Sequence, residues 1–230
     1  MNPNKHRLTK KDIQNLTCFV YSESKDFVAG AFFNLPLSLK RHGVQVGIVA
    51  GQMAKHAPDN AIPVGMTHDE YANATRYGAL YHDIGAYLVY NRTRLYPAAG
   101  ERFLREQFSE EVLNIAHRVI LETVQFYGER YDGQGYPDKI SGSAIPLHAG
   151  ICAIANKVDI MLGNRYNSIA EARVSIWENR GKAFSPDAVA CFTAASAEIF
   201  RLYKLWHKNP PLWNNRDINP LEKPMDKPIG

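Results

Sequence analysis

Two adjacent side chains in this sequence, an imidazole and a carboxylate, could bind metal ions. They open the motif His82-Asp83-Ile84-Gly85. Both are ligands for divalent metals, and two metal ions about 3.5–4 Å apart can hold a phosphodiester and activate water. A His-Asp pair near the end of a helix could reach neighbouring positions of one such cluster. By itself the pair is a weak indication, because it also arises by chance at helix ends.

A second motif, Asp132-Gly133-Gln134-Gly135-Tyr136-Pro137, is typical of a rigid loop. Its two glycines permit positive backbone φ angles, and Pro137 restricts the exit from the turn. The segment Glu129-Arg130-Tyr131 leads directly into it. These residue types alone are also consistent with a purely structural turn.

Together the two motifs resemble those of HD-GYP domains, a branch of the HD metal-dependent phosphohydrolases whose members cleave cyclic di-GMP and related cyclic dinucleotides. The resemblance spans residues 25–205. Further segments follow the family's order: Arg41-His42-Gly43-Val44, Ser141-Gly142, Ile145-Pro146-Leu147, Ala153-Ile154-Ala155 and Phe184-Ser185-Pro186-Asp187. The resemblance implies a metal site built from several helices and a ligand of the cyclic-dinucleotide class.

The chain departs from the family at most positions where the resemblance places metal ligands. Those positions hold Tyr96, Tyr127, Gly128 and Asn156. Glycine offers no ligand atom, an amide is a weak neutral ligand, and a phenol with a pKa of about 10 competes poorly with imidazole. In addition, Ala86 stands where the family has a lysine expected near the substrate phosphate. The sequence therefore predicts a degenerate metal centre.

Three of the family's ligands remain, namely His42, His82 and Asp83, with Asp83 the catalytic residue if the protein is active. A bridged two-metal centre is not expected from this set. Two histidines and one carboxylate could still bind one divalent ion such as iron, manganese or zinc. Alternatively, the three are polar core groups that bind no metal. The predicted cofactor is accordingly none or one divalent metal.

Three functional hypotheses are open, the first two of which follow from the resemblance. The first is an HD-GYP-type domain of bacterial cyclic-dinucleotide signalling that is catalytically degenerate and binds a nucleotide or a signalling protein through the loop 132–137 and Arg130. The alternative is an active phosphohydrolase with a reduced metal site, in which Arg130 or a helix end holds phosphate. The third is a structural subunit that forms a homodimer. Metal dependence separates the first two hypotheses.

The apolar periodicity predicts an all-α protein with a single multi-helix bundle. We expect helices over 24–35, 37–56, 67–82, 110–126, 147–162, 168–181 and 186–206, with caps at Thr67, Ser109, Ser168 and Ser185. The predicted divisions are an N-terminal segment (1–24), the helical domain (25–206) and a proline-rich extended tail (207–230).

The composition narrows the classes of protein to which the chain could belong. The chain has 230 residues, of which 45% are hydrophobic and 22% charged, and its net charge of +4 is scattered along the sequence. This balance argues against a nucleic-acid surface. No run approaches the roughly 20 apolar residues that span a bilayer, and three widely spaced cysteines are typical of reduced thiols. The sequence predicts a soluble cytoplasmic protein without a membrane partner.

Overall fold

Seven α-helices pack into one all-α bundle in this computed structural model, which describes residues 31–32, 34–89, 93–108, 114–163 and 168–208. Within these ranges there is no β-strand, only an isolated bridge between Arg180 and Phe184. The predicted fold class is confirmed. The helices are α1 (Leu37–Ala54), α2 (His68–Leu80), α3 (Tyr96–Gln107), α4 (Ile115–Phe126), α5 (Leu147–Gly163), α6 (Ile169–Glu178) and α7 (Pro186–Lys208).

The centre of the bundle is α1, which packs against α2, α5 and α7. Its residues Val46, Val49 and Met53 are fully buried. A β-carbon on Gly43 would lie 2.6 Å from the backbone oxygen of Leu80, so glycine allows α1 to approach the last turn of α2 closely. This approach brings the residue before Gly43 next to the turn that follows α2.

Three helix starts agree with the sequence prediction. The Oγ1 atom of Thr67 accepts the N–H of Glu70 at 3.2 Å, and the Glu70 carboxylate accepts the N–H of Thr67 at 2.8 Å, which completes a capping box on α2. Ser168 caps α6 in the same way. Ser185 accepts the N–H of Ala188 at 3.1 Å at the start of α7. Each cap satisfies N–H groups that have no partner within the helix.

The helix predicted from Glu110 begins later, at Ile115. Asn114 has non-helical torsions and accepts the N–H of His117 at 2.9 Å, so it is the N-cap. A histidine at the third helical position hid this capping box from the sequence pattern. Ser109 lies outside the described residues.

Helix α3 was not among the predicted helices. The structure places Pro97 in the first turn of this helix, where its missing N–H has no cost. The predicted helices over 37–56, 67–82 and 168–181 end earlier, at Ala54, Leu80 and Glu178.

The predicted terminal segments fall mainly on residues that the structure does not describe. His207 and Lys208, assigned to the tail, are the last residues of α7. Of the helix expected over 24–35, Ala31, Phe32 and Asn34 are helical, while residues 24–30 and 33 are not described. Across the described ranges, no helix has the length and apolar character needed to cross a membrane.

Candidate functional site

His42 from α1 meets His82 and Asp83 from the turn after α2. Their ligand atoms all lie within 4.8 Å of one another. The Oδ2 atom of Asp83 is 3.4 Å from Nε2 of His82 and 4.0 Å from Nε2 of His42. With metal–ligand bonds of about 2.0–2.2 Å, ligand atoms of one ion lie about 3–4 Å apart. Among the described residues, this is the one group of three with metal-binding spacing.

Hydrogen bonding fixes which nitrogen of His82 carries its proton. The Nδ1 atom is 2.7 Å from the carbonyl oxygen of Ala79, which can only accept, so Nδ1 donates. Burial lowers the pKa of His82 and favours the neutral ring. The Nε2 atom therefore presents a lone pair, and this buried atom makes no hydrogen bond to any described residue. A lone pair facing a carboxylate is an arrangement that a cation would stabilise.

His42 is oriented by a second carboxylate. Its Nδ1 donates to Oδ2 of Asp159 at 2.7 Å, and the other oxygen of Asp159 accepts the hydroxyl of Tyr203 at 2.6 Å. Burial alone lowers the pKa of His42, but the hydrogen bond and charge of Asp159, with the charge of Asp83, raise it overall. A carboxylate that accepts from one imidazole nitrogen commonly supports a metal ligand at the other nitrogen.

Asp159 was not among the predicted site residues. It lies three residues after Asn156 on α5, so the two occupy neighbouring positions on one helix face. This spacing was the signal available in the sequence. The sequence could not show that the packing of α1 against α5 places His42 beside this face of α5.

Tyr127 occupies one predicted ligand position, but it contacts the group as a hydrogen-bond donor. Its hydroxyl donates to Oδ1 of Asp83 at 2.7 Å, and its ring packs edge-on against His82 with centroids 4.8 Å apart. Burial raises the pKa of Tyr127 well above its usual value, and the charge of Asp83 adds to this effect. The phenol therefore stays protonated, and Oδ2 of Asp83 is left facing the two histidines.

The other three predicted degenerate positions differ in their surroundings. A β-carbon on Gly128 would lie 2.6 Å from the ring of Tyr136, so this ring occupies the space of a side chain at position 128. Tyr96 is buried at the start of α3 and does not line the cleft described next. The Oδ1 atom of Asn156 is buried and has no hydrogen-bond partner of good geometry among the described residues.

A cleft of about 530 Å³ opens beside the histidine–carboxylate group. This volume lies within the range of about 300–1,000 Å³ usual for small-molecule sites. Arg41, on its rim, is exposed and has no ion pair with any described residue. The remaining lining residues are largely polar or aromatic: Ser38, Leu39, His42, Gln45, Asp83, Tyr127, Tyr136, Asn156, Asp159, Ile160 and Gly163.

The loop 132–137 is held by two charged residues that precede it, Glu129 and Arg130. Arg130 donates to both oxygens of Asp132, at 3.0 and 2.6 Å. The Oε1 atom of Glu129 accepts the N–H groups that follow Pro137, at 2.6 and 3.0 Å. Gly133 has a φ angle of +76°, which favours glycine.

The same loop reaches the cleft through one residue. A β-carbon on Gly135 would meet the backbone of Glu129 and Arg130, so this glycine is required by close approach. The next residue, Tyr136, donates its N–H to the carbonyl of Gly128 at 3.1 Å and lines the cleft. Of the predicted loop residues, Tyr136 is thus the one placed beside the histidine–carboxylate group.

Comparison with known proteins links the chain to cyclic-dinucleotide phosphodiesterases. It is 29% identical over 178 residues to a cyclic di-GMP phosphodiesterase of Thermotoga maritima, covering 71% of this chain and 46% of that protein. It is 39% identical over 75 residues to the cyclic di-GMP phosphodiesterase response regulator RpfG of Xanthomonas campestris, covering 31% and 20%. It is 24% identical over 189 residues to the 3'3'-cGAMP-specific phosphodiesterase 2 of Vibrio cholerae, covering 76% and 35%.

No protein-family model matches the chain. The chain spans less than half the length of these three relatives, at 46%, 20% and 35%. The resemblance predicted from the motifs is confirmed: the chain is a distant relative of the cyclic di-GMP phosphodiesterases of the HD-GYP type.

Proposed function

We propose that this chain binds a cyclic dinucleotide of the cyclic di-GMP class at a site that holds one divalent metal ion, and that it does not hydrolyse by a two-metal mechanism. The observation that carries the proposal is the orientation of His42 and His82. In both rings Nδ1 is engaged by an oxygen acceptor, so both Nε2 atoms are directed towards Oδ2 of Asp83. These three atoms would hold iron, manganese or zinc.

The positions that would complete a second metal site support a single ion. The Tyr127 phenol is protonated and bonded to Asp83. The ring of Tyr136 fills the space beside Gly128. Asn156 offers a neutral amide where a charged ligand would be expected. A pair of bridged ions requires several more anionic or imidazole ligands than these residues provide.

Each neighbouring side chain has a role in this proposal. A divalent ion would supply Lewis-acid activation of a phosphate. Tyr127 positions Asp83, and Asp159 positions His42. Arg41, which has no ion pair with a residue in the described ranges, offers its guanidinium to a phosphate at the rim of the cleft. The ring of Tyr136 provides an aromatic surface for a base.

A second candidate function is a metal-dependent phosphohydrolase with this reduced site, in which Asp83 is the catalytic residue. It is favoured by the open cleft beside the three ligand atoms, which leaves room for a substrate next to the ion. Binding of a signalling protein through the loop 132–137 and formation of a homodimer remain predictions from the sequence.

The first experiment is the metal content of anaerobically purified wild type, His82→Ala and Asp83→Asn. We expect one equivalent of iron, manganese or zinc in the wild type and loss of the metal in both variants. Because His82 is fully buried, His82→Ala can disturb packing, whereas Asp83→Asn keeps the shape of the side chain. Circular dichroism checks that both variants are folded.

The outcomes are distinct. A wild type without metal would contradict the proposal that the site binds an ion. Two equivalents of metal would contradict the proposal that it binds only one. Hydrolysis of cyclic di-GMP by the metal-loaded protein then separates the two candidate functions. Turnover that is lost in Asp83→Asn favours the phosphohydrolase, and binding without turnover favours the binding domain.

A further inference from the structure

A second cleft, of about 330 Å³, lies beside the first. The two clefts share four lining residues, Tyr127, Tyr136, Asn156 and Ile160. Lys157, the residue after Asn156 on α5, lines only the second cleft. A ligand that lies beside the histidine–carboxylate group can therefore extend past Tyr136 towards Lys157.

The basic side chains that line the two clefts differ in whether a carboxylate already pairs with them. Arg130 also lines the second cleft, but both oxygens of Asp132 accept hydrogen bonds from it. Lys157 is half-buried and forms no hydrogen bond or ion pair with any described residue. Arg41 has the same unpaired character in the first cleft, again with respect to the described part of the chain. Each cleft thus contributes one cation that is available to an external anion.

We propose that Lys157 and Arg41 each bind one of two phosphate groups of the same ligand. Arg41 would take the phosphate beside the histidine–carboxylate group, and Lys157 the phosphate in the second cleft. This inference rests on the proposed function and makes it specific: the ligand carries two phosphodiester groups. An ammonium group is a compact charge that suits a phosphate oxygen, and a half-buried position strengthens the contact relative to bulk water.

The aromatic residues of the second cleft fit the same ligand. Tyr136 and Phe184 contribute ring surfaces next to Lys157. Base–aromatic contacts tolerate any base, because every base has a π-face. A nucleotide with its phosphate on Lys157 and its base against these rings therefore matches the lining, whereas a purely apolar ligand does not.

The test is calorimetric titration of cyclic di-GMP, and separately of GMP, into manganese-loaded wild type, Lys157→Ala and Lys204→Ala. Lys204 is exposed on α7 and lines neither cleft, so Lys204→Ala removes the same charge elsewhere. We expect Lys157→Ala to raise the Kd for cyclic di-GMP about tenfold, the effect of losing one charge-assisted contact. Lys204→Ala leaves the Kd unchanged.

GMP distinguishes a second phosphate contact from a general loss of positive charge. Because the manganese ion adds its charge to that of Arg41 in the first cleft, GMP should place its single phosphate there, and its Kd should change with Arg41→Ala but not with Lys157→Ala. An unchanged Kd for cyclic di-GMP in Lys157→Ala, or equal weakening for GMP, would overturn this inference and leave the proposed function standing. A wild type that does not bind cyclic di-GMP at all would contradict both.

Discussion

Hydrogen bonds to three side chains prepare the histidine–carboxylate group for a cation. Carbonyl and carboxylate oxygens engage Nδ1 of His82 and His42, and the Tyr127 hydroxyl engages one oxygen of Asp83. Of the remaining atoms, Nε2 of His82 has no hydrogen-bond partner among the described residues, and Oδ2 of Asp83 lies 3.4 Å from it and 4.0 Å from Nε2 of His42. The supporting contacts therefore determine which atoms are available to a metal as much as the ligands themselves do.

Tyr127→Phe removes only the hydroxyl that holds Asp83. We expect about 10–100-fold weaker metal binding, the usual consequence of losing a group that orients a ligand. The measurement is calorimetric titration of manganese into the metal-free protein. Tyr87→Phe is the control, because Tyr87 is 43% exposed and lines neither cleft.

Equal manganese affinity in wild type and Tyr127→Phe would show that Asp83 does not need the phenol. A stronger affinity would show that the phenol competes with the ion for Asp83. Either result would contradict a positioning role for Tyr127.

The contact between α1 and α2 positions the site at the scale of helices. A β-carbon on Gly43 would lie 2.6 Å from a backbone oxygen of Leu80, which cannot rotate away as a side chain could. The helices must separate to accept it, and His42 lies immediately before this contact. The position of His42 relative to His82 thus depends on a glycine that binds nothing.

Gly43→Ala should therefore reduce both folding stability and metal affinity. We expect a loss of about 1–3 kcal/mol in the free energy of unfolding, typical of overpacking, measured by urea denaturation. The matched control is Gly150→Ala on α5, where the nearest atoms are 3.4 Å from the added carbon, an ordinary contact. There the higher helix propensity of alanine should leave stability unchanged or raised by up to about 1 kcal/mol. Equal changes in the free energy of unfolding for the two substitutions would contradict the close approach of α1 to α2 at Gly43.

Sequence reasoning succeeded where a local interaction is made by the residue types that usually make it. The capping boxes at Thr67 and Ser168 involve residues three positions apart, and the sequence predicted a cap at each of these two residues. It failed for α3, where no helix was predicted, and for the start of α4, where His117 replaces the usual acidic partner. In both cases at least one residue type at the start of the helix is not one that usually marks a helix start.

At the scale of the whole molecule, the site residues also fall into two groups: those that the sequence identified and those whose role only the structure revealed. The sequence motifs identified His42, His82 and Asp83, and the structure brings them together. The role of Asp159 depends on how α5 packs against α1, which is a contact between segments far apart in the chain. Likewise, Tyr127 was seen as a lost ligand, and its hydrogen bond to Asp83 became visible only in the folded chain.

Because α1 and the turn after α2 both contribute ligands, a bound ion would link separate parts of the bundle and stabilise the folded state as a whole. An ion that binds only the native state, at about 100 times its Kd, adds about 2.7 kcal/mol to the free energy of unfolding. For a domain of this size, we expect the Tm to rise by about 5–10 °C on addition of manganese and to return with a chelator. Differential scanning calorimetry measures both.

Two aspartate variants locate the origin of this stabilisation. Asp83→Asn should abolish the rise in Tm, because the neutral amide no longer compensates the charge of the ion. Asp69→Asn should retain it, since Asp69 is exposed in the first turn of α2 and lines neither cleft. If both variants keep the rise, the ion binds elsewhere. If both lose it, the effect reflects overall charge, and the link between metal binding and the bundle through His42, His82 and Asp83 is wrong.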